Sequence, residues 1–159
     1  MFVAPELGPA NDAMGAGRYA EAAQLYERCA YAAHQANDLL GVKMGAGMAI
    51  KAWAHAGDPK NAVRIATSTV DLLKTIAHEP DVRSFATKTL DSLRTQGYHA
   101  DADAFSAHVH TVVPTWSDPN APQLPAFCSA CGAVVKPAEI VRPTPSTVAC
   151  KYCGASLAR

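Results

Sequence analysis

The chain has 159 residues, 49% of them apolar and 18% charged, and its formal net charge is zero. This composition describes a soluble globular protein long enough for one ordinary domain and a small accessory one. No segment approaches the ~20 uninterrupted apolar residues of a membrane span, so no membrane association is expected.

The opening residues, MFVAPELGPA, contain neither a basic stretch nor an apolar run long enough for export, so a reducing, cytoplasmic location is expected. Helical periodicity then predicts six helices over residues 6–16, 18–36, 38–56, 59–78, 80–96 and 98–112, joined by short turns as antiparallel pairs. In the fourth, Ala62, Ile65, Ala66, Thr69, Val70, Leu73 and Ile76 recur at steps of three and four, which places them on one face. Val82, Phe85, Ala86, Leu90 and Leu93 do the same in the fifth, and Pro80 suits its first turn, where a missing N–H costs nothing. The third is unusual. Gly41, Gly45 and Gly47 would each cost ~1 kcal/mol relative to alanine inside a helix, so a second helix or a partner is expected to approach closely there. Cys29, alone in the second helix, reads as a small buried apolar residue.

A spacing of 40 residues organises this region. Gly17 and Ala22, Gly57 and Ala62, and Gly97 and Ala102 hold the same relative places, the glycine turning the chain and the alanine letting the next helix pack closely. The run Gly17-Arg18-Tyr19-Ala20-Glu21-Ala22-Ala23-Gln24-Leu25-Tyr26 resembles the centre of a tetratricopeptide repeat. The second copy keeps Trp53, Gly57 and Ala62 but has Ala66 where the family has an aromatic residue and Ile50 where it prefers glycine or alanine; the third keeps Gly97 and Ala102. The resemblance implies a mainly α fold, an array of antiparallel helix hairpins over residues 1–112, and a groove built from the first helix of each pair. On that resemblance Met44, Gly47, Lys51, Ala54 and His55 face the groove in the second copy, and Ser84, Thr87, Asp91 and Arg94 in the third. Lys51 and Arg94 would clamp a partner's carboxylate, with Met44 supplying adaptable apolar contact. The alternative is a six-helix bundle without repeat ancestry. Three repeats are few for a stable stack, so dimerisation through an uncapped end is also open.

Residues 113–126 contain Pro114, Pro119, Pro122 and Pro125, a density that forbids regular helix and marks a linker. Trp116 does not suit a free tether and is expected to pack against the last helical pair.

Residues 127–159 hold the strongest motif. Cys128, Cys131, Cys150 and Cys153 form two Cys-x-x-Cys pairs separated by 18 residues, followed by Gly132 and Gly154. Each pair lets two thiolates converge across a tight turn, and a loop of roughly 15 to 20 residues lets the second pair complete a tetrahedron. Glycine after the second thiolate supplies positive φ. So short a segment lacks a sizeable core, and a structural metal replaces it. Alternating Phe127, Val134, Val135, Ile140, Val141, Val148 and Leu157 predict short antiparallel strands, and the tail looks like a zinc ribbon. Its knuckles also resemble those of rubredoxin, which would imply iron and electron transfer. The second knuckle, Cys150-Lys151-Tyr152-Cys153-Gly154, lacks the usual proline after its first cysteine, which favours Zn2+ over Fe.

No catalytic constellation is legible, so an enzyme is not expected. The segment 41–47 lacks the Gly-Lys-Ser/Thr ending of a phosphate loop, and His108 and His110, two residues apart, diverge on a helix. No glutamate is followed three residues later by histidine, as a di-iron bundle would need. The expected function is a non-catalytic protein- or peptide-binding adaptor. Nucleic-acid binding through the tail is the rival, resting on Lys136, Arg142, Lys151 and Arg159 with Tyr152. Four thiolates on a divalent ion would carry about −2, which offsets most of that basic charge.

Overall fold

The computed structural model describes residues 4–119, 121, 123–136, 139–144 and 147–158. Arg159 and Pro122, named above, lie outside them. Six helices come first: α1 (Leu7–Gly15), α2 (Tyr19–Gln35), α3 (Leu39–His55), α4 (Pro59–Ile76), α5 (Glu79–Thr95) and α6 (His99–Val112). Among the described residues none is long and apolar enough to cross a membrane. The chain divides into two compact units, Met1–Ser117 and Asp118–Arg159.

The corners of the helical unit follow from backbone chemistry. Gly17, Gly57 and Gly97 all have positive φ, 73°, 77° and 86°. Each donates its N–H to the carbonyl three residues back, and the next residue donates to the carbonyl five back, as in Gly57 N–H to Ala54 O (3.1 Å) and Asp58 N–H to Trp53 O (3.0 Å). This closes the exposed carbonyls of a helix end with a residue in the left-handed region, which glycine enters without strain. Asn37 (φ 55°) makes the same pair of bonds between α2 and α3. Four corners therefore fall at positions 17, 37, 57 and 97, so the underlying period is 20 residues, one helix and its turn. Side-chain burial follows that period. Val42, Ala46, Ala49 and Ile50 in α3, Ala62, Ala66, Thr69 and Val70 in α4, and Val82, Ala86, Thr89 and Leu90 in α5 are all buried. Asp38 and Asp58 start α3 and α4 by accepting from the Gly41 and Asn61 N–H groups, each at 3.0 Å.

Packing runs between neighbours and next neighbours: α3 touches α2, α4 and α5, and α4 touches α3, α5 and α6. Tyr26, Ile50, Leu73, Leu90, Phe105 and Val109 are among the side chains of one continuous core. Lys43 crosses from α3 to Asp81 on α5 at 2.6 Å, and this ammonium holds the Asp81 carboxyl below the usual range. Trp116 is 4% exposed within the same core, as expected; its N–H donates to Val113 O (2.9 Å), and the His110 Nδ1 donates to its carbonyl (3.1 Å).

The expected close approach at the α3 glycines is with α2. A methyl group on Gly45 would lie 2.8 Å from the Ala30 nitrogen and 2.9 Å from its Cα, and one on Gly41 would lie 2.8 Å from Ala33 Cβ. Gly47 has nothing within 4 Å. Gly45→Ala is therefore expected to force two backbones apart and destabilise the unit by about 1–3 kcal/mol. Gly47→Ala should gain up to ~1 kcal/mol from helix propensity. Urea midpoints of the two variants, displaced in opposite directions from the parent, would verify this; equal midpoints would contradict it.

The second unit contains β1 (Val141–Thr144), β2 (Thr147–Ala149) and β3 (Ser156–Ala158), an antiparallel sheet in that order. Pro143 sits in β1, an edge strand, where its missing donor breaks no ladder. Val148 is 2% exposed, whereas Phe127, Val134 and Val141 are exposed. The apolar residues of this unit thus build only a minimal interior.

Candidate metal centre

Two hairpin turns carry the four cysteines, and they are copies of one another. In the first, Cys128 N–H donates to Ala133 O (2.8 Å) and Gly132 N–H to Cys128 O (2.8 Å); in the second, Cys150 N–H donates to Ala155 O (2.8 Å) and Gly154 N–H to Cys150 O (2.9 Å). Gly132 and Gly154 have φ of 72° and 73°. The flanking strand pairs correspond as well, Phe127 with Val134 and Ala149 with Ser156. Each turn presents its two sulfurs toward the other's.

Cys128 Sγ lies 3.6 Å from Cys153 Sγ, and Cys131 Sγ lies 3.8 Å from Cys150 Sγ. All four sulfurs fall within 4.8 Å of one another. A tetrahedron with metal–sulfur bonds near 2.3 Å places its sulfurs about 3.8 Å apart, so the group can hold a metal ion. A disulfide needs about 2.05 Å, and all five cysteines are free thiols. Cys128 and Cys150 are buried, and Cys131 and Cys153 face solvent.

The electrostatics also suit a cation. Backbone N–H groups of Cys131 and Ala130 point at the Cys128 sulfur and lower its pKa to about 7. The Ala133 N–H likewise favours the Cys131 thiolate, but the Cys153 sulfur, burial, and the Cys128 and Cys150 sulfurs outweigh it and push Cys131 up to about 12. Four converging sulfurs cannot all ionise without a compensating charge, which a bound metal ion would supply.

Other residues singled out from sequence fall elsewhere. Cys29 is buried in α2, and that burial raises its thiol pKa. His108 Nε2 meets Asp71 across α4 and α6 at 2.8 Å. Among the described residues the four cysteines are the one cluster of at least three side chains suited to a metal. On α3, Met44 is 62% exposed, Gly47 is open, Lys51 is exposed, and His55 stacks on Tyr19 with ring centroids 5.2 Å apart; Ala54 is buried. On α5, Ser84 and Asp91 are exposed, Thr87 donates to Arg83 O (3.0 Å), and Arg94 reaches Asp103 on α6 at 3.7 Å. In the second unit Lys151 lies over the Tyr152 ring at 5.8 Å, Lys136 lies 3.9 Å from Glu139, and Tyr152 donates to Glu139 at 3.5 Å.

One polar cluster escaped the sequence reading. Glu27 accepts from Trp53 Nε1 (2.5 Å) and from Arg64 (3.2 Å), joining α2, α3 and α4. Glu27 and Arg64 lie on α2 and α4, 37 residues apart, a separation that no local sequence pattern marks.

No protein-family model, curated protein or solved structure matches the chain.

Proposed function

We propose that the chain is a non-catalytic adaptor: a tetratricopeptide-like helical array that binds a protein or peptide, followed by a zinc ribbon whose four-thiolate ion is structural. The observation that carries the adaptor reading is the bare ridge of α3, where Met44, Gly47 and Lys51 share a face and expose apolar surface, open backbone and a cation. An extended acidic or amphipathic segment would use all three. A structural role is proposed because four protein sulfurs fill a tetrahedron and leave no position for substrate, and zinc because Lys151 stands where rubredoxin-like knuckles carry proline. A four-thiolate site beside a lone buried Cys29 would suit a reducing, cytoplasmic setting.

Arg94 is tied to Asp103, so a charge reversal there would disturb α5 and α6 as well as any partner. The informative variant is Met44→Ser with Lys51→Glu. Affinity purification from the native host is expected to lose its principal partner with this variant, and an unchanged partner list would refute the α3 surface. The nucleic-acid alternative rests on exposed Lys151 and Tyr152, with Glu139 close to that ring and to Lys136. It requires oligonucleotide binding that weakens steeply with salt. Iron and electron transfer would show as a red oxidised protein, whereas the zinc form is colourless.

A further inference from the structure

A cavity of about 210 Å³ opens between α2 and α4, away from the exposed ridge of α3. Its floor is Ala30, Val42, Ala46 and Ile65, and its rim includes Tyr31 and Ser68. The Glu27–Arg64 ion pair sits at one end.

The internal repeat shows what this space lacks. Forty residues on, α4 packs directly against α6, and the positions of Ala30, Ile65 and Thr69 are taken by Val70, Phe105 and Val109, each 0% exposed. The rim positions of Tyr31 and Ser68 are taken by Asp71 and His108, which bridge the two helices at 2.8 Å. In the first copy the smaller residues leave the junction unfilled, no such bridge joins Tyr31 to Ser68, and Tyr31 is 68% exposed. The same architecture thus contains one junction completed by a phenyl ring and one without it.

We propose that the α2–α4 cavity is an anchor pocket for an aromatic side chain of a partner protein, which takes the place that Phe105 holds one repeat later. Size decides between a side chain and a small metabolite. Pockets that enclose a whole small ligand usually span ~300–1,000 Å³, whereas this one has room for about one ring and stays open along the Tyr31 rim. Buried aromatic anchors of this kind carry much of the energy of protein interfaces. The pocket does not depend on the α3 ridge, and its test leaves Lys51 aside except as a control.

The metal-loaded full chain would be titrated with the pentapeptide Ac-Ala-Ala-Trp-Ala-Ala-NH2 while amide shifts are followed by NMR. A single anchor should bind with Kd near ~1 mM. Shifts are expected to centre on Val42, Ala46 and Ile65, and an all-alanine peptide should bind at least about tenfold more weakly. Ile65→Phe with Ser68→His, which installs the counterparts of Phe105 and His108, should abolish those shifts; Ser68→Trp fills the pocket from an exposed position and guards against misfolding of the first variant. Lys51→Glu should leave the shifts unchanged, which separates this site from the α3 surface. The proposal is overturned if the tryptophan peptide produces no shifts up to about 10 mM, if Ser68→Trp binds it as before, or if free indole binds while the peptide does not.

Discussion

Treating the protein with a strong zinc chelator under reducing conditions is expected to unfold the second unit and leave the helices intact. The argument is one of magnitude. In that unit Val148 is buried, but Phe127, Val134 and Val141 face solvent, so little apolar area is removed from water. A structural zinc ion contributes an apparent ~10–16 kcal/mol of folding free energy in small domains, more than this interior can replace. The helical unit has its own core, running from Ala10 to Trp116, and needs no ion. Amide exchange should therefore become fast across residues 126–136 and 147–158 and stay slow in α3 to α6. Cys128→Ser should act in the same direction, because it removes a ligand whose sulfur already receives backbone N–H groups. The sign with pH follows from the sulfurs: binding needs thiolates, and without metal Cys131 is held near 12, so loading releases protons and affinity falls as pH falls. A metal-free, reduced protein whose second unit retained its protected amides would refute the structural role of the ion.

How far the sequence revealed this architecture depended on how local each cause was. The helices were legible because their determinants lie within one or two turns. Val82, Phe85, Ala86, Leu90 and Leu93 mark one face at steps of three to four, and all five are buried. The cysteine cluster was legible because two identical turns leave the same Cys-x-x-Cys-Gly signature, and the spacing alone allows them to converge. The 20-residue period was hidden by substitution. Asn37 performs the turn that glycine performs at 17, 57 and 97, and Ala77 closes α4 in an extended conformation instead. The meaning of Gly41 and Gly45 lay in residues of another helix, Ala33 and Ala30, which no local pattern connects to them. The α2–α4 cavity was least accessible, since it exists only as the difference between two junctions of the same repeat.

Trp116→Ala is expected to be the most damaging single substitution in the helical unit, although the residue lies beyond the last helix in a proline-rich stretch. Its ring is 4% exposed and belongs to the core that also contains Val109 and Val113, while its backbone is held by Val113 and His110. The segment after α6 therefore acts as the final packing element of the array, covering apolar surface that a further helix would otherwise cover. Removing a buried tryptophan side chain typically destabilises by ~3–5 kcal/mol, a large part of the ~5–15 kcal/mol that holds a domain folded. With a urea slope near 2 kcal/mol/M, the midpoint should fall by about 2 M. Trp116→Phe, which keeps an aromatic ring, should recover most of that loss. Partial unfolding should begin where the cover is lost, so limited proteolysis of Trp116→Ala is expected to cut first between Val112 and Asp118 and then to expose α6. A variant within ~0.5 kcal/mol of the parent would mean that the ring covers nothing the array needs, and the helical unit would then end at Val112.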